Sequence, residues 1–329
     1  MIPDLDHLRA AYAETSKATQ ITPLLRSHPL ARETGAAAVY VKPESLQWAG
    51  SFKIRGAYWR LKNLTPEEAR KGVVAYSSGN FAQGLAAAGE ALGIPVTIVM
   101  PNDAPKAKSD ATAGYGARVI LTDHGTRARE EVASERAKAI SEEEGLALLH
   151  PFDDPLIVAG QAGAGLEAID QLAAQDASAD MLLCQVGGGG LIGGVALAFH
   201  YLSPKTRIFA VEPEGFNGMG KSLAEGDRLT LPLGSKSICD GLMARRPGVA
   251  PFAAMQQAGA TGITVDDAEV RHAMRFAFEK MKLVFEPSGA AALAALLSGK
   301  VDAAGKTVVV IATGGNVALD DFQRHLADA

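Results

Sequence analysis

Short runs of apolar, mostly β-branched residues alternate along the chain with alanine-rich stretches of helical spacing. Buried parallel strands have this continuous apolar character, and helices between them cover both faces of the sheet. The pattern therefore predicts an α/β fold built on parallel strands. It predicts six strands, at Val73–Tyr76, Val96–Met100, Arg118–Leu121, Met181–Val186, Arg207–Val211 and Thr307–Ala312.

One helix and one interruption stand out in this alternation. A helix is predicted to begin near Asn80, a residue type that favours the N-cap, and to end at Gly93, a residue type that commonly ends helices in the left-handed conformation. The alternation stops near His150–Asp154 and resumes with a different loop chemistry, so two α/β units are possible. The stretch Arg127–Glu144 alternates charge at helical spacing, and we expect it to form a solvated helix face.

Composition and charge limit the classes of protein to consider. The 329 residues are 47% hydrophobic and 21% charged, which is typical of a globular chain with one large or two moderate cores. A net charge of −5 gives no general attraction to nucleic acid or to an anionic membrane, and no apolar run is long enough to span a bilayer. The first residues carry acids where a secretion signal needs a basic start, so we expect a cytoplasmic location. Cys184 and Cys239 are too few and too far apart for a disulfide scaffold or a thiolate metal site, and both are expected to be reduced.

The most specific candidate for chemistry is the segment Ser51–Ala57, in which Phe52 and Ile54 flank Lys53. An apolar environment disfavours the charged form of a lysine, and a neutral amine can attack an aldehyde. The alternative for a single lysine is a side chain that extends from an amphipathic helix into solvent. Other loops must decide between the two.

A second candidate loop contains four consecutive glycines, Gly187 to Gly190, followed by Leu191, between a predicted strand and a helix. Consecutive glycines let backbone N–H groups converge on a phosphate at a helix N-terminus. A tight turn or a dinucleotide loop is the alternative. The loop has neither the acidic ribose ligand of a dinucleotide site nor the ending of a P-loop. A phosphate that is not part of a nucleotide fits it best.

Two further loops lie at strand ends. In Ser77–Gly84, hydroxyl and backbone N–H groups can hold a substrate carboxylate, while the Asn80 amide can reach a cofactor hydroxyl. A helix cap with small residues for close packing is the alternative there. In Ala312–Val317, the Thr313 hydroxyl could face a ring nitrogen, although this loop alone would indicate only a turn.

Together these segments resemble the serine/threonine dehydratase family, in the fold-type II group of pyridoxal-phosphate enzymes that also includes serine racemase. The resemblance runs from about Thr22 to Val317. It rests on motifs in the order and spacing of the family, at Ser51–Ala57, Ser77–Asn80, His150–Asp154, Gly160–Gln161, Gly187–Gly190, Glu286–Gly289 and Thr313–Asn316.

This resemblance implies an α/β fold of two domains, with open twisted sheets and helices on both faces, like that of the tryptophan synthase β-subunit. The larger, cofactor-binding domain is expected to contain residues 1–68 and 150–329, and a smaller mobile domain residues 69–149. The active site is expected between them. No regulatory domain is expected after the Thr313 loop.

The resemblance also implies roles for the candidate residues, with pyridoxal 5′-phosphate as the cofactor. Lys53 is expected to hold it through a Schiff base and to remove the α-proton of the substrate, and Ser78 to assist from the opposite face. Thr313 is expected at the pyridine nitrogen, where a neutral hydroxyl favours prompt β-elimination. The other expected cofactor contacts are Phe52, Asn80, Gly187, Gly188, Gly189, Gly190, Leu191 and Glu286. The expected substrate contacts are Ser77, Ser78, Gly79, Asn80 and Phe81.

The implied activity is conversion of a β-hydroxy amino acid, first L-threonine or L-serine, to a 2-oxo acid and ammonia. Phe81 stands where family members commonly have histidine, which indicates either packing or a more apolar pocket. The alternative substrates are therefore 3-hydroxyaspartate and an aryl serine such as phenylserine. An amino-acid racemase, with Ser78 as its second acid/base, and a β-replacement synthase remain alternative activities.

The family also suggests a homodimer, with a small amino acid and neither nucleic acid nor membrane as the partner. The segment from Glu212 to Gly218 resembles a divalent-cation site of serine racemases, but Gly218 replaces a carboxylate, and Glu212 alone is a poor ligand set. No tightly bound metal is therefore expected. Asp240 resembles part of a family turn near the cofactor ring, and the sequence assigns it no role.

Overall fold

A computed structural model describes residues 2–127 and 129–328, which form two β-sheets flanked by helices. Residues 1, 128 and 329 lie outside the described residues. They belong to the predicted domain ranges, and residue 128 also belongs to the charged stretch Arg127–Glu144. The described strands are β1 Leu25–Arg26, β2 Ala38–Pro43, β3 Val73–Tyr76, β4 Val96–Pro101, β5 Arg118–Thr122, β6 Ala147–Leu148, β7 Met181–Gln185, β8 Arg207–Pro213, β9 Thr261–Val265 and β10 Thr307–Ala312.

Helices connect most of these strands. The α-helices are α1 Leu5–Thr15, α2 His28–Thr34, α3 Lys53–Lys62, α4 Pro66–Lys71, α5 Asn80–Leu92, α6 Lys106–Gly114, α7 Arg129–Glu144, α8 Pro155–Gln161, α9 Gly163–Ala173, α10 Gly190–Leu202, α11 Gly218–Glu225, α12 Val249–Gln257, α13 Asp267–Phe276, α14 Pro287–Leu297 and α15 Leu319–Ala327. Short 3₁₀ turns lie at Glu44–Leu46, Trp48–Gly50 and Asp240–Leu242, and a π-helical turn at Ala277–Met281.

The larger sheet has six strands in the order β1-β2-β10-β7-β8-β9, and only β1 runs antiparallel to its neighbour. Side chains of β10 enter two apolar cores in alternation. Val308 and Val310 pack with helices α13 and α14 on one face, and Val309 and Ile311 pack with α9 and α10 on the other. Burial on both faces explains why these strands are continuously apolar.

The smaller sheet has four parallel strands in the order β5-β4-β3-β6. It too is covered on both faces, since Val73 and Ala75 pack with α5 while Val74 packs with α7. All of its strands come from residues 73–148. The domain limits at residues 69 and 149 remain a prediction, which the location of this sheet supports.

The α/β fold with helices on both faces of its sheets is confirmed. All six predicted strands are present, although β7 ends at Gln185 and leaves Val186 in the loop. The strands β1, β2, β6 and β9 were not predicted. In α7, the buried side chains are Ala133, Ala137 and Ile140 and the charged ones are exposed, as the alternating charges predicted.

The predicted N-cap of α5 is wrong by one residue. Gly79 occupies the cap position and Asn80 is the first helical residue, with its side chain turned to a distant carboxylate instead of to the helix backbone. The predicted end is confirmed, because Gly93 has the left-handed φ of 65°.

Both cysteines are buried and unpaired, as expected for reduced core residues. Among the described helices, none combines the length and the apolar character needed to cross a bilayer.

Candidate active site

The Lys53 segment is attached to the end of the central strand β10. Ser51 pairs with Gly314 in an isolated β-bridge, and the Phe52 backbone N–H donates to the carbonyl oxygen of Thr313 over 3.2 Å. Lys53 then begins α3. The chain therefore brings the lysine and the threonine loop together at the carboxyl end of the larger sheet, where such sheets bind ligands.

Lys53 lies in an apolar environment between the two sheets. Its Nζ atom lies 5.0 Å from the centre of the Phe52 ring and 5.8 Å from that of the Phe81 ring. Burial lowers the pKa of Lys53 to about 8, although the charge of Glu286 acts in the opposite direction. The amine is therefore neutral in a far larger fraction of molecules near pH 7 than a solvated lysine is.

The four-glycine loop forms the start of α10. Gly189 is the N-cap with a left-handed φ of 99°, and the N–H groups of the following turn have no partner inside the helix. A Cβ atom on Gly188 would lie 2.3 Å from the ring of Phe152. Phe152 thus forms one wall of the loop, and the buried backbone amides on the other side are available to an anion.

Thr313 is buried, and its hydroxyl oxygen accepts a hydrogen bond from Gln185 Nε2 over 2.9 Å. The same Nε2 lies 2.9 and 3.0 Å from the carbonyl oxygens of Ser288 and Gly289, which fixes the orientation of the amide. Because the Thr313 oxygen accepts here, its hydrogen is free to donate to another group. The sequence alone did not predict the contact with Gln185.

The Ser77–Phe81 loop follows β3 of the smaller sheet. The Ser77 hydroxyl accepts from the Gly79 N–H over 3.3 Å, and both residues are half-buried, as is Ser78. Phe81 is almost fully buried in the core beneath α5, as the packing alternative predicted, and its ring also faces Lys53.

Two polar contacts join the sheets beside Lys53. Asn80 Nδ2 donates to Glu286 Oε1 over 2.6 Å, and Lys108 Nζ lies 2.6 Å from Asp240 Oδ2. Burial raises the pKa of Glu286 to about 7, and the charge of Asp240 adds to the effect. Asp240, to which the sequence assigned no role, therefore anchors α6 of the smaller sheet to the turn after Cys239.

Comparison with known proteins identifies the family of the chain. The family described as pyridoxal-phosphate dependent enzyme matches residues 15–314. The chain belongs to this family. It is 37% identical over 321 residues to the catabolic L-threonine dehydratase of Staphylococcus aureus strain USA300, a match that covers 97% of this chain and 90% of the relative.

Two solved structures of the family resemble the whole chain. Maize serine racemase has a TM-score of 0.91 and 33% identity, with 99% of this chain and 98% of the other covered. The threonine deaminase of T.th. has a TM-score of 0.88 and 38% identity, with 96% and 99% covered. The predicted fold-type II membership is confirmed.

The residues present fit the cofactor of the family. The glycine loop offers a buried phosphate cradle, the Lys53 amine has a lowered pKa of about 8, and Thr313 offers a hydroxyl hydrogen at the end of β10. Near these residues, two buried polar atoms have no partner among the described residues: Ser51 Oγ, two positions before Lys53, and Oε1 of Gln185, which contacts Thr313. Buried polar groups rarely remain unpaired, so a polar ligand or ordered water belongs here.

Substituting Gly188 with alanine tests the phosphate cradle. The added Cβ would overlap the Phe152 ring, so either the ring or the loop must move, and we expect affinity for pyridoxal phosphate to fall by about tenfold or more, since overpacking costs roughly 1–3 kcal/mol. Titrating the apoprotein with the cofactor measures this. Gly114→Ala is the matched control, because no atom lies within 4 Å of the added Cβ. Equal affinities of the two variants would contradict the assigned cradle.

A buried charge network behind Lys53 was not predicted. Arg55 Nε lies 2.7 Å from Glu44 Oε2 and Arg55 Nη1 lies 2.7 Å from Glu167 Oε1, while Lys42 Nζ lies 2.7 Å from Glu167 Oε2. All four side chains are almost fully buried. The network balances two cations with two anions and connects the first turn of α3 to β2 and α9. In the sequence, only Lys42, a charged residue near the end of an apolar strand, could have indicated this network.

Glu212 has a structural partner. Its carboxylate accepts from the Met219 and Gly220 N–H groups over 2.9 and 2.8 Å, at the start of α11, and burial raises its pKa to about 7. Across residues 2–127 and 129–328, no group of three or more His, Cys, Asp or Glu side chains could hold a metal ion. The absence of a tightly bound metal remains a prediction.

Proposed function

We propose that the protein is a dehydratase that converts L-threonine or L-serine to the 2-oxo acid and ammonia. One observation carries the proposal: a lysine amine with a lowered pKa, a glycine phosphate cradle and a neutral threonine hydroxyl follow or adjoin the carboxyl ends of the neighbouring strands β7 and β10. The names of the relatives, L-threonine dehydratase and threonine deaminase, support this reaction over others of the family.

Lys53 is the proposed base. When bound, pyridoxal phosphate supplies a conjugated ring that accepts the electrons released at the substrate Cα. Lys53 Nζ takes the α-proton, and its lowered pKa leaves it neutral enough to do so near neutral pH. The Thr313 hydroxyl would donate a hydrogen bond to the pyridine nitrogen without adding a charge. The ring would then withdraw electrons less strongly than a protonated ring, which favours rapid loss of the β-hydroxyl.

The Ser77–Phe81 loop is the proposed carboxylate site. Its backbone N–H groups lie at the start of α5, where the helix dipole favours an anion, and the Ser77 and Ser78 hydroxyls add donors. The apolar rings of Phe52 and Phe81 exclude water from the amine of Lys53. Movement of the smaller domain toward the larger one would close the loop over a bound substrate.

The lowered pKa of Lys53 predicts a pH dependence for cofactor loading. The rate of the reaction between apoprotein and pyridoxal phosphate should rise about tenfold per pH unit below 8 and level off above, because only the neutral amine attacks. Rapid-mixing absorbance measures the rate. Under the same conditions, Nα-acetyl-lysine, with a pKa of about 10.4, should continue to accelerate between pH 8 and 10. The same continued rise in the protein would contradict a lowered pKa.

Assaying four substrates separates the proposed specificities. Purified holoenzyme is incubated with L-threonine, L-serine, phenylserine and 3-hydroxyaspartate, and the 2-oxo acid is measured. Fastest turnover of L-threonine or L-serine supports the proposal. Preference for phenylserine would assign the Phe81 pocket to an aryl group, and absence of 2-oxo acid from all four would refute a dehydratase.

A racemase is the second candidate. The half-buried Ser78, three residues before Phe81, whose ring faces Lys53, and the similarity to maize serine racemase favour it. Chiral chromatography of unreacted serine distinguishes the activities, because racemisation yields D-serine and elimination alone does not.

The finer features suggested by the family are also proposals. A homodimer is proposed from the family resemblance, and sedimentation analysis would test it. The cytoplasmic location remains an expectation that cell fractionation would test.

A further inference from the structure

The Asn316 side chain lies between the turn before Lys53 and the start of α5. Its Nδ2 atom is 2.8 Å from the carbonyl oxygen of Ala49 and 2.8 Å from Asn80 Oδ1. A backbone carbonyl can only accept, so the atom of Asn316 that faces it must be the donating nitrogen. The protein backbone therefore fixes the orientation of the Asn316 amide.

This orientation determines the next amide. Both Asn316 hydrogens have acceptors, so the atom of Asn80 that faces Asn316 must be its oxygen. Asn80 Nδ2 then lies on the other side, where one hydrogen reaches Glu286 Oε1 over 2.6 Å. Within the described part of the chain, the second hydrogen of Nδ2 has no acceptor.

The turn that seats Asn316 is unusual. Ala49 and Gly50 are consecutive left-handed residues, with φ of 63° and 68°, and alanine rarely adopts this conformation. A Cβ on Gly50 would lie 2.1 Å from Asn316 Oδ1. The glycine makes room for the amide, and the left-handed alanine directs its carbonyl to it, so this turn positions Asn316.

We propose that Asn316 is a positioning residue that fixes the Asn80 amide so that an N–H group, not the carbonyl, faces the phenolic oxygen of pyridoxal phosphate. A negatively charged oxygen requires a donor, and an inverted amide would repel it. The inference rests on the proposed cofactor contact of Asn80, and it assigns a role to the last residue of the Thr313–Asn316 motif.

A double-mutant cycle tests this proposal. Asn316→Ala removes the fixed donor without a change in charge, and Asn316→Asp replaces it with acceptors only. Both should weaken pyridoxal phosphate binding by roughly five- to tenfold, the range expected for one hydrogen bond to a charged group. They should also raise the pH at which the visible band of the lysine-bound cofactor changes. In an Asn80→Ala background, neither should add to the loss, because Asn316 acts through Asn80.

Asn63→Asp is the matched charge control, since Asn63 is exposed at the end of α3 and, among the described residues, its side-chain amide donates only to the Trp59 carbonyl oxygen. It should bind the cofactor as the wild type does. Wild-type affinity in both Asn316 variants, or losses that multiply with Asn80→Ala, would overturn the proposal. These outcomes are measured without substrate, so they are distinguishable from failure of the proposed dehydratase activity, which the 2-oxo acid assay reports.

Discussion

Lys53→Ala is expected to abolish the visible absorbance that the wild-type protein gives with pyridoxal phosphate and to lower 2-oxo acid formation by roughly 10³-fold or more, the upper range for a positioned acid–base group. The variant loses the amine that bonds the cofactor and also the base at the substrate α-carbon. The phosphate cradle remains, so the variant should still bind the cofactor without the band. Spectra and initial rates of the purified variant check both effects.

The control for this prediction is Lys106→Ala. Lys106 is exposed on α6, where it pairs with Asp110, so its removal should leave spectrum and rate unchanged. Addition of methylamine to Lys53→Ala should restore part of the rate, because the small amine replaces the missing base. Retention of the visible band in Lys53→Ala would assign the cofactor bond to another lysine.

The residues that the sequence identified for this site lie in short continuous motifs. Lys53, the Gly187–Gly190 loop and Thr313 each stand beside a strand end, and parallel strands bring their carboxyl ends to one edge of a sheet. The positions of the loops after the predicted parallel strands were therefore enough to predict which loops lie close together. The directions of the side chains could not be predicted in this way, because they depend on contacts between distant segments.

Asn80 illustrates that limit. Its residue type favours an N-cap, but its amide bonds to Glu286 and Asn316, more than 200 positions away in the chain. The Asn80 side chain thus bonds to distant residues instead of to the backbone of its own helix, and Gly79 occupies the N-cap position. Asn316 itself could be recognised only as part of a motif, because its function depends on the carbonyl direction of Ala49.

Strand β2 was missed for a related reason. It is buried along its whole length, but it contains Lys42, a residue type that is depleted in buried strands. The charge is tolerated because Glu167, from a segment 125 residues later, lies 2.7 Å from it. Strands β1 and β6 contain only two residues each, too few for any periodic pattern.

The second large effect is expected from Arg55→Met, which should lower the free energy of unfolding by about 3–5 kcal/mol, the usual cost of removing one partner from a buried ion pair. Arg55 is fully buried and bonds to both Glu44 and Glu167, which raise its pKa further despite the cost of burial. Its loss leaves two buried carboxylates with Lys42 as the one remaining cation of the network. Urea unfolding at pH 7.5 measures the change.

Charge balance, not side-chain volume, should account for most of this loss. Adding Glu44→Gln to Arg55→Met restores a neutral network and should recover part of the stability, because one uncompensated carboxylate is removed. The deficit of the single variant should also shrink as the pH falls toward 5, since an unpaired buried carboxylate has a raised pKa and becomes neutral by binding a proton. Arg118→Met, which breaks an exposed pair with Glu144, is the control and should change stability little. If Arg55→Met matched that control, the network would be dispensable for the fold, and the first turn of α3 would have to be held by packing alone.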